Sequence, residues 1–246
     1  MSDILTIARW SRTRLLRSRL LWIGILLALL PSVPALLMLV SGHAPKDLEG
    51  VQDNWEGVAE LVLRFVAELV PALFLANALG DELELKTYTY LWSRPMRREA
   101  LLFGKLLGAL PLLLAITTVS FVLVWLLIAG PYAGTAIHML WPTMVAGLAA
   151  TLTACCFAIG VGALVPKHPF VLALGVLAAS QVISIVPNVA RLSVAFHARA
   201  LAGQPAIEGI TESKSAGATG LVVLASIWLV VAVWRARRAE LAAIDV

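Results

Sequence analysis

Apolar positions along this chain gather in long unbroken stretches, unlike the alternation of a strand or the one-sided stripe of a surface helix. A helix needs about 20 mostly apolar residues to cross the hydrocarbon layer of a bilayer. Six stretches approach or exceed that length: residues 20–41, 61–80, 101–129, 139–165, 170–186 and 217–234. The pattern predicts an all-α membrane protein, a single transmembrane domain of six helices. The second stretch is the most polar, carrying Arg64, Glu68 and Asn77. The third and fourth are long enough to tilt or to project beyond the membrane. Only Pro166, Lys167, His168 and Pro169 separate the fourth from the fifth, which predicts a tight hairpin. Continuous apolar runs also exclude a closed transmembrane barrel, whose strands alternate.

Composition agrees with this reading. Of 246 residues, 60% are hydrophobic and 14% charged, far from the balance of a soluble domain, a disordered chain or a coiled-coil rod. The formal net charge is +4, and the placement of the basic residues ties it to membrane topology, not to nucleic acid. Arg9, Arg12, Arg14, Arg17 and Arg19 flank the first span. Lys86, Arg94, Arg97, Arg98 and Lys105 lie around the start of the third, Lys167 after the fourth, and Arg235, Arg237 and Arg238 after the sixth. The opposite set of flanks holds only Lys46, Arg64, Arg191, Arg199 and Lys214. Cytoplasmic flanks are enriched in Lys and Arg, so both termini are expected in the cytoplasm of a multi-pass protein of the inner cell membrane. Cys155 and Cys156 are neighbours in an apolar run and read as small core residues, not as a disulfide framework.

Residues 1–19 interleave Ile4, Leu5, Ile7, Ala8, Leu15 and Leu16 with the five arginines, and Trp10 and Trp22 suit interface anchors. Two readings fit: an amphipathic helix lying on the cytoplasmic membrane surface, or a plain basic flank that sets topology. The apolar run from Leu20 to Ser41 exceeds the roughly 7–15 residues of a secretory signal, so it is read as an uncleaved span. The loop from His43 to Glu60 is acidic, and Asp53 or Asn54 is expected to cap a helix leading into span two. The extracytoplasmic segment 187–216 mixes polar residues with Phe196, Leu201 and Ile207, which predicts short helices resting in the outer leaflet against protein.

The cytoplasmic segment 81–100 is dense in charge, with Asp81, Glu82, Glu84, Lys86, Arg94, Arg97 and Arg98, and also carries Tyr88, Tyr90 and Trp92. Large rings supply contact area and rim charges set register, so the combination reads as a docking surface; interfacial belt residues are the alternative. Pro95 breaks the segment before the third span begins. Catalytic signatures are missing. Gly104 and Lys105 are adjacent, but Glu99 stands where a phosphate loop needs its first glycine and Leu106 follows the lysine. The sequence has no G-x-S-x-G elbow and no H-E-x-x-H motif, and His43, His138, His168 and His197 fall at span ends or in loops, away from where axial haem ligands would sit. The reading is a non-enzyme without metal or cofactor of its own. Ionisable groups inside a membrane are costly and are usually paired or functional. Arg64 and Glu68, four apart, either neutralise one another on one helix face or line a polar route with Asn77, Gln181 and Asn188. Gly104, Gly108, Gly160 and Gly162 permit close helix approach.

Two segments carry a resemblance. ILTIARWSRTRLLRSRLLW and GDELELKTYTYLWSRPMRREALLFGKLLG resemble the opening segment and the first cytoplasmic loop of the ABC-2 type permeases, the transmembrane subunits of a large class of ABC transporters. Asp81 and Glu82 match the acidic start, Thr87 the threonine, Ser93, Arg94 and Pro95 the Ser-Arg-Pro step, and Lys105 the closing lysine. Tyr88, Tyr90 and Trp92 depart from the aliphatic residues usual there. The resemblance implies a dimer with a second copy or a homologue, and a pair of separate ATPase subunits that bind ATP and Mg on the cytoplasmic side. It also implies a coupling helix within 81–100, a route lined by spans two and five, and export more than import. A membrane-embedded enzyme and a non-transporting anchor or sensor subunit are the competing classes, which copurification with an ATPase would separate.

Overall fold

In a computed structural model of the chain, residues 2–76, 98–164, 168–183, 189–205 and 212–238 are described. All regular structure among them is helical. The helices are α1 (Ser2–Leu16), α2 (Arg19–Leu29), α3 (Ser32–Val40), α4 (Leu48–Leu61), a π-helical segment (Val62–Leu69) and α5 (Val70–Leu75). After them come α6 (Arg98–Ala129), α7 (Ile137–Leu164), α8 (Pro169–Ile183), α9 (Val194–Ala202) and α10 (Lys214–Arg238). Among the described residues α6, α7 and α10 are each long and apolar enough to cross a membrane, and α2 with α3 makes a fourth candidate bent by 47°.

The first apolar stretch, expected as one helix, therefore folds as two. Pro31 and Pro34 explain the break, because neither can donate a backbone hydrogen bond to the preceding turn. The local carbonyls are satisfied in tighter turns, with the amide of Leu30 donating to Leu27 and that of Val33 to Leu30. The hydroxyl of Ser120 on α6 donates to the Ala28 carbonyl at 2.8 Å, supplying from a neighbouring helix what the kink disturbs.

The acidic loop is shorter than expected. Asp47, not Asp53 or Asn54, caps the next helix, its carboxylate accepting the Gly50 amide at 2.8 Å. From there α4, the π segment and α5 run on without a gap. One face of α4 goes inward through Val51, Trp55, Val58 and Ala59. Trp55 is 1% exposed and meets Trp125 edge to face at a centroid distance of 4.9 Å, while its indole N–H donates to the Met139 carbonyl at 3.3 Å. This aromatic node ties α4 to α6 and to the start of α7.

Elsewhere the helices close in on one another through small residues. Ile7 and Ser11 of α1 are buried where α1 crosses the start of α6 at Gly104 and Gly108. A Cβ on Gly108 would stand 2.6 Å from the Ala8 carbonyl oxygen. The hydroxyls of Thr117 and Thr151, 3.0 Å apart, join α6 to α7, and Gly160 of α7 receives Trp228 of α10. At one end of the bundle Arg237, in the last turn of α10, pairs with Glu99 in the first turn of α6. The start of α6, the docked α1 and the end of α10 thus share one end. At the other end the Tyr132 hydroxyl donates to the Lys46 carbonyl at 2.6 Å.

Candidate functional site

Between the helix of the second apolar stretch and α8 lies a half-open cavity of about 650 Å³. One wall carries Glu60, Arg64 and Glu68 with Leu61, Phe65 and Leu69; the other carries Leu174, Leu177 and Ala178. Local sequence explains the charged wall. Pro71 lacks an N–H and its ring crowds the carbonyl one turn back, and the backbone upstream of it opens into wider π turns over Val62–Leu69. Arg64 and Glu68 both sit in that widened segment and both reach the cavity.

Arg64 forms an ion pair with Glu60, four residues before it. The same Glu60 oxygen pairs with Arg199 from α9, so one carboxylate is shared between two guanidinium groups on different helices. Their side chains are 27% (Glu60), 30% (Arg64) and 19% (Arg199) exposed, which makes the cluster half-buried. Burial holds the Arg199 guanidinium below the usual arginine pKa. Deeper in, Glu68 is 2% exposed.

Arg199 is held in position by α9's grip on α10. The Nε2–H of His197 donates to the Arg191 carbonyl at 2.8 Å, and the ring meets Phe196 edge to face. Gly217 and Gly220 of α10 leave room for this packing: a Cβ on Gly220 would stand 2.1 Å from His197 Nδ1. Arg191 also pairs with Glu212 at 3.2 Å, just before α10 begins.

Of the residues singled out in the sequence as a polar route, Arg64 and Glu68 meet in this cavity. Gln181 lies on α8 with its side chain outside the described residues, and Asn77 and Asn188 lie outside them altogether. Of the docking residues, Asp81, Glu82, Glu84, Lys86, Thr87, Tyr88, Tyr90, Trp92, Arg94, Pro95 and Arg97 also lie outside the described residues; Arg98 opens α6 with its side chain outside them. Sequence reasoning missed Glu60 and Arg199. The first was available as the residue four before Arg64; nothing local marks the second. Among the described residues no three His, Cys, Asp or Glu side chains converge on a metal site.

A family model described as ABC-2 family transporter protein matches residues 12–190. The chain belongs to the ABC-2 transporter family. No curated protein matches it. The match takes in both walls of the cavity and the whole of 81–100, and stops short of Arg199. Membership makes this ABC-2 protein a multi-pass membrane subunit of a transporter, of a family that in general works with an ABC ATPase.

Proposed function

We propose that this ABC-2 family member is the permease subunit of an ABC exporter, with the cavity between its second span and α8 as part of the translocation route. The observation that carries the reading is the charged face of Glu60, Arg64 and Glu68 set opposite an aliphatic wall inside an apolar helix bundle. Ionisable groups at membrane depth are retained against a cost of several kcal/mol and are associated with pathways more than with scaffolding.

The proposed arrangement has six spans, α2 and α3 together forming the first and Leu48–Leu75 contributing the second. Both termini lie in the cytoplasm of the inner membrane. The clustering of the α1 arginines, the start of α6 and Arg235, Arg237 and Arg238 at one end of the bundle supports that orientation. Two such chains, or this chain and a homologue, pair in the membrane. Two ATPase subunits bind ATP and Mg below them and grip residues 81–100 through Tyr88, Tyr90, Trp92 and the surrounding charges. Closure of the ATPase pair moves this segment, and the connected helices shift between packed arrangements.

An affinity-tagged chain should retain a soluble ABC ATPase from its own host, which an intramembrane enzyme or a bare anchor would not. In the reconstituted complex, Arg94→Glu should abolish the permease-stimulated part of ATP hydrolysis while insertion stays intact. Stimulation unchanged in that variant would remove the docking role from 81–100.

A further inference from the structure

The second apolar stretch is built on a four-residue repeat. From Gly57 it reads GVAE, LVLR, FVAE and LVPA, with valine second in every unit and Glu60, Arg64 and Glu68 closing the first three. The structure keeps this period as files along the helix. Val58, Val62, Val66 and Val70 form one buried file and Ala59, Leu63 and Ala67 a second, none more than 5% exposed. The other two files line the cavity: the charged one and, beside it, Gly57, Leu61, Phe65 and Leu69.

An α-helix cannot hold a period of four over this length. At about 3.6 residues per turn every fourth residue advances by about 40°, and residues seven apart fall within about 20° of one another. A regular helix continued from Glu60 would therefore turn Ala67 onto the cavity face beside Glu60 and carry Leu69 to the buried face beside Val62. The reverse is found: Ala67 is 0% exposed and Leu69 lines the cavity. The drift is corrected by the π-helical segment Val62–Leu69, whose hydrogen bonds reach one residue further and put more residues into each turn.

Pro71 stands where the widened turns give way to ordinary helix. It has no N–H to offer the Ala67 carbonyl, four residues back, and its ring crowds that oxygen, so an ordinary α turn cannot close over the end of the π segment. Within α5 itself the same proline lies in the first turn, where a missing donor costs little. We propose that Pro71 is a positioning residue for the cavity: by withholding a donor from Ala67 it holds Val62–Leu69 in widened turns, which keep Arg64 and Glu68 in file with Glu60, and Phe65 and Leu69 in the apolar file beside them. A molecule moving along this wall then meets a charged rail and an apolar rail on the same sides at every turn. The inference rests on the reading of this cavity as the route, but the register is tested without transport, so the two can fail separately.

Phe65→Cys, Ala67→Cys and Leu69→Cys are made singly in the full chain in detergent and treated with a small neutral methanethiosulfonate, and the added mass is located by peptide. The buried Cys155 and Cys156 report on the fold. With Pro71 present, Phe65→Cys and Leu69→Cys should react at least about tenfold faster than Ala67→Cys, because thiol reactivity follows exposure. Pro71→Ala restores the donor and should reverse the order of Ala67→Cys and Leu69→Cys while Cys155 and Cys156 stay protected. Lactic acid incorporated at position 71, which like proline offers no N–H, should keep the original order. An unchanged order in Pro71→Ala, or a reversed order with lactic acid, would overturn the proposal. Should Pro71→Ala expose Cys155 and Cys156, the lactic acid chain decides alone, and Ala67→Cys outpacing Leu69→Cys in the parent chain would overturn the register itself.

Discussion

Substituting alanine for Gly108 sets two effects of similar size against each other, and the structure says where each acts. The new Cβ would stand 2.6 Å from the Ala8 carbonyl oxygen and 3.0 Å from Ser11 Cβ, whereas ordinary contact begins near 3.4 Å. The nearest atom belongs to backbone, so α1 itself must retreat by roughly 0.8 Å, an overpacking that costs about 1–3 kcal/mol. Alanine also improves the intrinsic helix propensity of α6 by about 1 kcal/mol. A global melting temperature would mix the two. The loss falls on the seating of α1, whose 15 residues make at best a marginal helix in isolation. Amide hydrogen exchange read by mass spectrometry separates the effects. Peptides from α1 should exchange about 5- to 150-fold faster in Gly108→Ala, the factor that corresponds to 1–3 kcal/mol. Gly175→Ala is the control: nothing lies within 4 Å of its new Cβ, so only the propensity gain remains and α8 should exchange up to about fivefold more slowly. If α1 exchanges at the same rate in Gly108→Ala while the control behaves, the close backbone crossing of α1 and α6 is wrong.

The other tests address the cavity's far side. In Gly220→Ala the Cβ would overlap His197 Nδ1 at 2.1 Å, forcing the ring off the Arg191 carbonyl and lowering thermal stability by about 2–4 kcal/mol. Adding His197→Ala should cost less than the sum of the two single changes, and strict additivity would show that the ring does not occupy that space. Glu60→Gln removes the carboxylate that Arg64 and Arg199 share. A half-buried cluster lies between the exposed and buried extremes, so the loss should be about 2 kcal/mol in detergent unfolding. A cycle with Arg199→Gln should give a coupling of at least about 1 kcal/mol; none would mean that the link from α4 to α9 contributes nothing.

Run length made the helical membrane class legible, because backbone groups in hydrocarbon must pair within their own segment and helices are the simplest way to do so. The 3.6 period also put Ile4, Ile7, Ala8, Ser11 and Leu15 on one side of α1, although a sequence does not say whether that side meets lipid or protein. Here it meets α6, and only the glycine pair hinted at it. Pro31 and Pro34 carried the break in the first stretch in plain view; hydropathy, which counts proline as one residue among many, smoothed over it. Trp55 sat in what read as an acidic loop because the four carboxylates of α4, of which Glu49, Asp53 and Glu56 are exposed, equal in number the four residues buried behind them and hide the apolar face in a plain count. Arg199 was beyond reach for a different reason. Its partner Glu60 is joined to it by no periodicity, only by the packing of His197 against Gly220, a tertiary fact.

The cavity's two walls are fastened unequally, and this bears on how such a space changes volume. The charged wall belongs to a helix whose Val62, Leu63, Val66, Ala67 and Val70 are all 1% exposed or less and whose upper end is pinned by Trp55 and by the Glu60 cluster. Among the described side chains of α8, Ala173 is the one that is buried, set in a small cluster with Ala72, Ala76, Phe157 and Val161. An alanine methyl removes far less apolar surface from water or lipid than five aliphatic side chains and a tryptophan do, and contact energy scales with that surface. By the described side chains, α8 is held through less buried apolar surface than the charged helix, which predicts that a widening of the cavity moves its aliphatic wall while Glu60, Arg64 and Glu68 keep their places; a distance label pair on α8 and α7 should then change on opening more than a pair on the charged helix and α7.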